Sequence, residues 1–391
     1  MKISEDIKLD FDDVLIKPKR STLESRANVN TTRSFVTLHS KKSISGFPLI
    51  VANMDTVGTI PMLKTMAKNK AFVALHKYHS IEKLQSVSEY SSNLFVTVGE
   101  NQEEIDNLSL NNIYPKMILI DAANAYREKF VTALKRVRNR FPDSVIMAGN
   151  VATPEMTEQL LLSGADIVKC GIGPGSLCET RKKTGVGFPQ LSCILECKDA
   201  AHGIGGLICA DGGIKNAGDA AKAFGAGTDF IMVGSLFMGC DECEGEWEYT
   251  EYTTEYRIRE YTKEDRAENS PFVVYLGISC GTGEQSAIPA GVHVCKELFV
   301  VNAPNSKKKK LKVYGMSSHA AQKKYLGEIQ KHRASEGKEH TVAYKGMAED
   351  VLNDIIGGVV SACSYSGARN LKDFDKCCSF VRVSRTHQSI F

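Results

Sequence analysis

The 391-residue sequence lacks several features that mark large classes of proteins. Its net charge is only +3, because 49 basic residues nearly balance 46 acidic ones, and this gives no reason to expect a nucleic-acid partner. The start, Met1-Lys-Ile-Ser-Glu-Asp6, has no apolar stretch of signal-peptide length, and no apolar run is long enough to span a membrane. We therefore expect partners to be neither nucleic acid nor membrane.

The twelve cysteines lack the regular spacing of a disulfide framework. In a chain of this length, such cysteines are typical of reduced thiols in a reducing compartment. Hydrophobic residues make up 42% of the chain, enough to fill the core of a full domain and an extra lobe. The composition therefore agrees with a soluble intracellular enzyme, and we expect it in the cytoplasm.

Eight short apolar runs recur along the first 234 residues, and each ends in a small or polar residue. They are continuous rather than alternating, which is typical of parallel strands covered on both faces. Most of the stretches between them can each hold one helix; in one, Thr153-Pro154 fits an N-cap followed by proline at the first helical position. The pattern predicts an α/β fold, a (β/α)8 TIM barrel rather than a doubly wound sheet. The runs are Pro48–Asn53, Phe72–His76, Leu94–Gly99, Met117–Asp121, Val145–Asn150, Ile167–Gly171, Leu207–Asp211 and Phe230–Gly234.

Polar residues at the ends of these strands would share the C-terminal rim of the barrel, where barrel enzymes place their active sites. Glycines follow the last two predicted strands, in Asp211-Gly212-Gly213 and Gly234-Ser235. That position favours a phosphate held on backbone N–H groups, although the same glycines could serve only as tight turns. The expected rim residues are Asn53, Asp55, His76, Asp121, Asn150, Cys178 and Asp211.

The glycine-rich segment Gly171–Arg181 contains Cys178 near its end. Three glycines in five residues allow the backbone to curve around an ion or a phosphate. A cysteine there, with Arg181 as a nearby cation, is placed to be exposed and nucleophilic. Spacing alone leaves the alternative of a loop with a buried cysteine equally open.

The segment Gly171–Gln190, GIGPGSLCETRKKTGVGFPQ, strongly resembles the catalytic loop of the IMP dehydrogenase/GMP reductase family, and Arg181–Gly187 is similar to its reductase branch. The resemblance covers about residues 7 to 240 and 312 to 391. Other matching stretches are Leu9–Pro18, Ala52–Gly58, His76-Lys77, Met147–Val151, Tyr314–Ser318 and Arg333–Lys338.

The resemblance implies an enzyme of purine nucleotide salvage that uses NADPH to convert GMP to IMP with release of ammonia. Cys178 would attack C2 of the purine and form a covalent thioimidate. Ammonia leaves only when protonated, and the family's acid pair corresponds to Thr180 and Glu336. The resemblance also implies a homotetramer.

Binding positions carried over from the family divide into three sets. The substrate set contains Ser176, Asp211, Gly212, Gly213, Gly234 and Ser235 on the phosphate and ribose side, and Gly315, Met316, Ser317, Arg333, Ser335 and Gly337 on the purine side. The NADPH set contains Ser25, Arg26, Lys77, Asp121, Ala122, Ala123, Ile172, Gly173, Ser361, Ala362, Cys363 and Ser364; of these, Arg26 and Lys77 could recognise the extra phosphate of NADPH. Carbonyls of Gly173, Gly175, Cys178 and Arg181 resemble a monovalent-cation site, with K⁺ as the expected ion.

Two alternatives remain: oxidation of IMP in the manner of IMP dehydrogenases, or nucleotide binding without turnover. IMP dehydrogenases usually carry a regulatory domain pair between early strands, and predicted strands two to four leave no room for it. They also use an Arg-Tyr pair on a flap, and no such dipeptide occurs between Asp241 and Tyr314.

We expect residues 1–391 to form one barrel domain with a C-terminal lobe and an insertion, residues 247–306, in the flap region after strand eight. The insertion matches nothing in the family and exceeds usual loop lengths. An added subdomain, a flexible excursion and translated non-coding sequence all stay open; the last is the most economical, because family motifs resume abruptly at Lys312. A zinc site is a weaker alternative, since its candidate ligands fit no standard finger: Cys240, Cys243, Cys280, His293 and Cys295.

Overall fold

The computed structural model describes residue 3 and residues 5–254, 258–261, 295–298, 303–329 and 334–384. The chain divides into two compact units, Met1–Trp247 with Lys310–Phe391, and Glu248–Lys309. In the second unit, strands Ile258–Tyr261 and Cys295–Leu298 pair antiparallel. The candidate zinc ligands Cys280 and His293 lie outside the described residues. Within the described ranges, no three His, Cys, Asp or Glu side chains come together as a metal site would require.

Eight parallel strands of the first unit close into a barrel in chain order, which confirms the predicted fold. Each strand lies within two residues of the bounds predicted from its apolar run. The strands are β1 (Leu49–Val51), β2 (Phe72–Leu75), β3 (Leu94–Val98), β4 (Met117–Asp121), β5 (Val145–Val151), β6 (Ile167–Cys170), β7 (Leu207–Asp211) and β8 (Phe230–Val233).

Helices connect successive strands, and a last one packs between the first and the seventh to complete the outer ring. Proline does occupy the first position of the fifth helix, but the Thr153 side chain does not cap it; its hydroxyl accepts from Tyr126 Oη at 3.2 Å instead. The ring helices are α1 (Ile60–Lys68), α2 (Ile81–Ser86), α3 (Gln102–Leu110), α4 (Glu128–Arg140), α5 (Pro154–Leu162), α6 (Gln190–Gly203), α7 (Ala217–Gly225) and α8 (Ala348–Ser366).

Side chains along each barrel strand alternate between the barrel interior and the layer under the helices. The interior is filled by fully buried aromatic residues, among them Phe72, Phe95 and Phe230. A hairpin of strands Arg33–Val36 and Ser43–Gly46 adds Phe35, whose ring centroid lies 4.6 Å from that of Phe230. Because Phe230 opens β8, this packing fills the N-terminal end of the barrel and leaves the C-terminal mouth for chemistry.

Later parts of the chain return to this mouth. Lys310–Tyr314 pairs antiparallel with Glu339–Ala343, and a helix, His319–Leu326, lies between them in sequence. Near the termini, Val14–Ile16 pairs with Phe380–Arg382. Two short helices remain, Thr180–Thr184 and Phe374–Cys377. Of the helices in the described ranges, none has the length and apolar character needed to cross a membrane.

Candidate active site

The glycine-rich loop after β6 presents Cys178 at the mouth. Gly171 and Gly173 have φ of +142° and +90°, values that favour glycine, so the chain can turn sharply there. The Cys178 amide then donates to the Gly175 carbonyl at 3.0 Å. Cys178 is half-buried, whereas Cys170, Cys193 and Cys209 are fully buried. The loop therefore exposes its cysteine, which decides between the two interpretations left open by spacing.

A hydrogen-bonded chain joins the thiol to a distant carboxylate. Cys178 Sγ donates to Thr180 Oγ1 at 3.2 Å, and the Thr180 hydroxyl donates to Glu336 Oε2 at 2.6 Å. Backbone pairing fixes this arrangement, since the Glu179 amide donates to the Glu336 carbonyl at 2.6 Å. The arrangement can pass a proton between thiol and carboxylate in either direction.

Small residues allow the predicted purine-side segment to approach the loop. A Cβ on Gly315 would lie 2.9 Å from the Leu177 carbonyl oxygen and equally close to Gly337 Cα. The Gly315 amide donates to the Lys338 carbonyl at 3.1 Å, and Ser335 Oγ donates to the Gly337 carbonyl at 3.1 Å. Gly315, Met316, Ser317, Ser335 and Gly337 thus lie in segments that flank the Cys178 loop. Arg333 lies outside the described residues.

The predicted phosphate side lies after β7 and β8. Gly212 and Gly213 have φ of +87° and +82°, and a Cβ on Gly212 would lie 3.0 Å from the Gly175 amide nitrogen. The turn after β7 is therefore in contact with the loop that carries the exposed Ser176. After β8, Lys345 Nζ donates to the Ser235 carbonyl at 3.1 Å, a cation that sequence reasoning missed. Gly234 and Ser235 are half-buried beside it.

A charged layer crosses the barrel interior just below the mouth, centred on Lys169. Lys169 Nζ lies 2.8 Å from Asp121 Oδ1 and 2.7 Å from Asp211 Oδ2. Burial by itself would lower the pKa of Lys169, but the two carboxylates raise it; burial likewise would raise the pKa of Asp121, but Lys169 lowers it. Sequence reasoning missed Lys169, although a lysine inside an apolar strand was a readable signal.

A second cluster forms at Asp55, which is 5% exposed. Asp55 Oδ2 accepts hydrogen bonds from Lys324 Nζ at 2.8 Å, from Tyr325 Oη at 2.7 Å and from Tyr314 Oη. Tyr325 stacks on Tyr78 with ring centroids 3.6 Å apart. Asp55 thereby ties the loop after β1 to the segment 314–325, which contains Gly315 to Ser317.

We expect Asp55→Asn to lower the free energy of unfolding at pH 7, because the donors lose their anionic partner. Burial would raise the pKa of Asp55, but hydrogen bonds from Lys324, Tyr314 and Tyr325 lower it below its usual value. The contribution is then present above the unfolded pKa of about 3.9 and is lost as the pH falls through the folded pKa. Denaturant unfolding should show that the free energies of unfolding of Asp55→Asn and wild type differ less at about pH 3.5 than at pH 7. Asp143→Asn, at an exposed carboxylate, is the control. If Asp55→Asn lowers the free energy of unfolding equally at both pH values, the charge of Asp55 is not the source of the effect.

The predicted cofactor residues form two separate groups. Asp121, Ala122, Ala123, Ile172 and Gly173 lie at or just beyond the C-terminal ends of β4 and β6, and the exposed Lys77 follows β2. Ser361 to Ser364 lie in the last two turns of α8, and the Arg26 guanidinium lies 5.8 Å from the Tyr365 ring there, next to Ser25. The amide of Ala348, at the start of α8, donates to Glu242 beyond β8, and the helix returns from the mouth toward the opposite end. One chain does not bring the two groups together.

Arg181 supports the loop through its side chain. Its Nη1 donates to Asp10 Oδ2 at 3.1 Å, and a Cβ on Gly173 would lie 2.4 Å from its Cγ. The Arg181 carbonyl accepts from the Gly185 amide at 3.2 Å. The guanidinium thus ties the loop to the N-terminal segment.

A half-buried thiol, joined through a hydroxyl to a carboxylate at the mouth of a (β/α)8 barrel, is an arrangement typical of barrel enzymes. Comparison with known proteins specifies the family. The sequence profile of the IMP dehydrogenase / GMP reductase domain matches residues 8–262 and 299–389. The chain therefore belongs to the IMP dehydrogenase/GMP reductase family. The profile leaves residues 263–298 unmatched, a shorter stretch than the expected insertion of residues 247–306.

Curated relatives match the chain along its whole length. GMP reductase 1 of Homo sapiens is 43% identical over 100% of this chain and 99% of its own. GMP reductase 2 of Bos taurus is 43% identical over 100% of this chain and 98% of its own. GMP reductase of Caenorhabditis elegans is 42% identical over 100% and 96%, respectively.

Proposed function

We propose that this chain is an NADPH-dependent oxidoreductase that deaminates GMP reductively to IMP through a covalent adduct on Cys178. The relatives that match its full length are GMP reductases. The observation that carries the mechanism is the Cys178–Thr180–Glu336 chain, with distances of 3.2 and 2.6 Å. It links a nucleophile to a group that can both take and return a proton.

The chemistry follows from this chain. As Cys178 Sγ attacks C2 of GMP, its proton passes through the Thr180 hydroxyl to Glu336. Glu336, now protonated, returns the proton through Thr180 to the departing amino group, and ammonia leaves while the C2–S bond remains. NADPH supplies the hydride that C2 then accepts. The C–S bond breaks, IMP forms, and Cys178 leaves as a thiolate that Thr180 can stabilise by hydrogen bonding until a proton from solvent restores the thiol.

Substrate binding is assigned by the chemistry of each group. Ser176 and the amides near Gly212, Gly213, Gly234 and Ser235 would hold phosphate. Asp211, 22% exposed, would accept from ribose hydroxyls. Residues 315–317 and 335–337 would hold the purine edge next to Cys178.

The mouth residues fit the reactive half of a dinucleotide, since Asp121 is 32% exposed at the end of β4 and Lys77 offers an exposed ammonium. Ser25, Arg26 and Ser361–Ser364 lie toward the end of the barrel opposite the mouth, too far away to complete that site in the same chain. We therefore propose that another copy supplies them, which agrees with a homotetramer.

A monovalent cation such as K⁺ could bind the carbonyl oxygens of Gly173, Gly175, Cys178 and Arg181, because neutral oxygens are suitable ligands for such an ion. The Gly175 and Arg181 carbonyls each accept a backbone hydrogen bond and keep a second lone pair. The ion would hold the Cys178 loop in shape.

We further propose that residues 1–391 act as a single domain with residues 247–306 inserted in the flap region, and that the enzyme is cytoplasmic. The thiols of Cys170, Cys193, Cys197 and Cys209, reduced and buried in the core, suit a reducing compartment.

The proposed activity has a direct test against both alternatives. Purified protein with GMP and NADPH should lower NADPH absorbance as IMP and ammonia appear. A protein that only binds nucleotide would show thermal stabilisation by GMP without oxidation of NADPH. An IMP dehydrogenase would instead consume IMP with a nicotinamide cofactor and release XMP.

GMP should protect Cys178 selectively from alkylation, because bound purine would cover its sulfur. Cys377 and Cys378, half-buried near the short helix Phe374–Cys377, are internal controls. Mass spectrometry of iodoacetamide-treated protein with and without GMP would measure labelling at each thiol. Equal labelling of Cys178 with and without GMP would show that this thiol lies outside the substrate site.

A further inference from the structure

The charged layer of the barrel interior has three members on different strands. Interior positions recur at every second residue: Met117 and Leu119 on β4, Ile167 on β6 and Cys209 on β7 belong to the interior core. Continuing the same period places Asp121, Lys169 and Asp211 on that face, one layer nearer the mouth.

One buried cation serves both carboxylates. The Lys169 side chain is 3% exposed, and its distances to the two aspartates differ by only 0.1 Å, 2.8 against 2.7 Å. Asn53 Nδ2 donates to the other oxygen of Asp121 at 3.1 Å. Asn150 Nδ2 donates to Asp211 Oδ2 at 2.8 Å and to the Gly171 carbonyl at 2.8 Å. The layer thus runs without a break from the end of β4 to the base of the Cys178 loop.

The two carboxylates belong to different ligands in the proposed function. Asp211 would accept from the nucleotide's ribose, and Asp121 would face the cofactor. When ribose hydroxyls donate to Asp211, they compete with Lys169 for its lone pairs. The ammonium, which cannot leave the buried layer, then interacts more strongly with Asp121 and restricts its orientation.

We infer that Lys169 is a positioning residue that couples the nucleotide and cofactor subsites, so that occupancy of either one raises the affinity of the other. This rests on the proposed function. The coupling must be reciprocal, because it is a free energy shared by two binding equilibria. The coupling would set an order of binding as well as raise affinity. A cofactor that binds more tightly beside a bound nucleotide is held where it can react with that nucleotide.

The test uses IMP with NADPH, a pair that cannot react further, so binding is measured without turnover. NADPH fluorescence gives the dissociation constant of NADPH with and without saturating IMP. For the wild type we expect IMP to tighten NADPH binding about fivefold, at the lower end of usual couplings. NADPH should tighten IMP binding by the same factor.

In Lys169→Met, the ratio of the two NADPH dissociation constants should fall to about one even though each ligand binds more weakly. Lys169→Arg keeps the charge and should restore part of the ratio. The matched control is Lys42→Met, which removes an ion pair of 3.0 Å at the exposed Asp143 and should leave the ratio unchanged. Where Lys169→Met fails to fold, Asp121→Asn leaves Lys169 one carboxylate and should also reduce the ratio to about one.

A purely structural role would weaken both ligands and keep their ratio, so an unchanged ratio in Lys169→Met, or in Asp121→Asn where that variant replaces it, overturns the inference. A wild-type ratio of one also overturns it. Failure of the proposed function is a different result: wild-type protein that binds neither IMP nor NADPH, or that does not oxidise NADPH with GMP.

Discussion

Cys178→Ala should abolish conversion of GMP to IMP while GMP still binds with nearly its wild-type affinity. The thiol is the nucleophile in the proposed mechanism, so without it C2 of the purine has no group to displace ammonia. The proposed phosphate and ribose contacts, at Gly212, Gly213, Asp211 and Ser235, do not involve the sulfur. Turnover would be followed by NADPH absorbance and GMP binding by calorimetry.

Cys377→Ala is the matched control, because it removes a half-buried thiol elsewhere and should leave the rate unchanged. Intact-protein mass spectrometry should show an adduct of nucleotide mass in wild type given GMP under acid quench, and none in Cys178→Ala. Residual turnover within tenfold of wild type would remove the covalent mechanism.

Glu336→Gln should slow GMP reduction by about 10²- to 10⁴-fold, the usual range for loss of acid–base catalysis. Glutamine can still accept the Thr180 hydrogen bond, so binding and the loop pairing of Glu179 with residue 336 should persist. The amide cannot carry the proton that ammonia needs. Glu339→Gln, at an exposed carboxylate three residues on, is the control and should retain the wild-type rate.

The two half-reactions separate a role in deamination from a structural one. Glu336→Gln given IMP and NADP⁺ should still form the covalent adduct and some NADPH in a single turnover, because that half needs no proton for departing ammonia and the Cys178 proton can pass to solvent. Rapid-mixing fluorescence would detect the NADPH. Equal loss of both half-reactions would show that Glu336 acts in a step that both share, deprotonation of Cys178 or hydride transfer, or that it maintains structure.

The strands and the nucleophile could be read from local sequence. Each apolar run is a buried strand because burial on both faces requires uninterrupted apolar residues, and the run Phe72 to His76 shows this directly. Cys178 was found because the glycines before it mark a turn that no other residue would favour. The same local reasoning correctly placed Thr153 at the N-cap of α5, but it could not show that the Thr153 hydroxyl bonds Tyr126 instead of a helix amide, since Tyr126 lies 27 positions away.

The sequence by itself thus determined the barrel, its C-terminal mouth and the exposed cysteine, because these depend on periodicity and backbone freedom over a few residues. Tertiary structure decided which side chains meet. Thr180 reaches Glu336 only because the backbone of the Cys178 loop pairs with residues 336–338, and Lys169 meets Asp121 and Asp211 only because barrel closure aligns β4, β6 and β7. Tertiary structure also separated Arg26 and Ser361 from Lys77. Helix α8 begins at the mouth and returns along the barrel, so its C-terminal end, near Ser361 and Arg26, lies at the opposite face from Lys77.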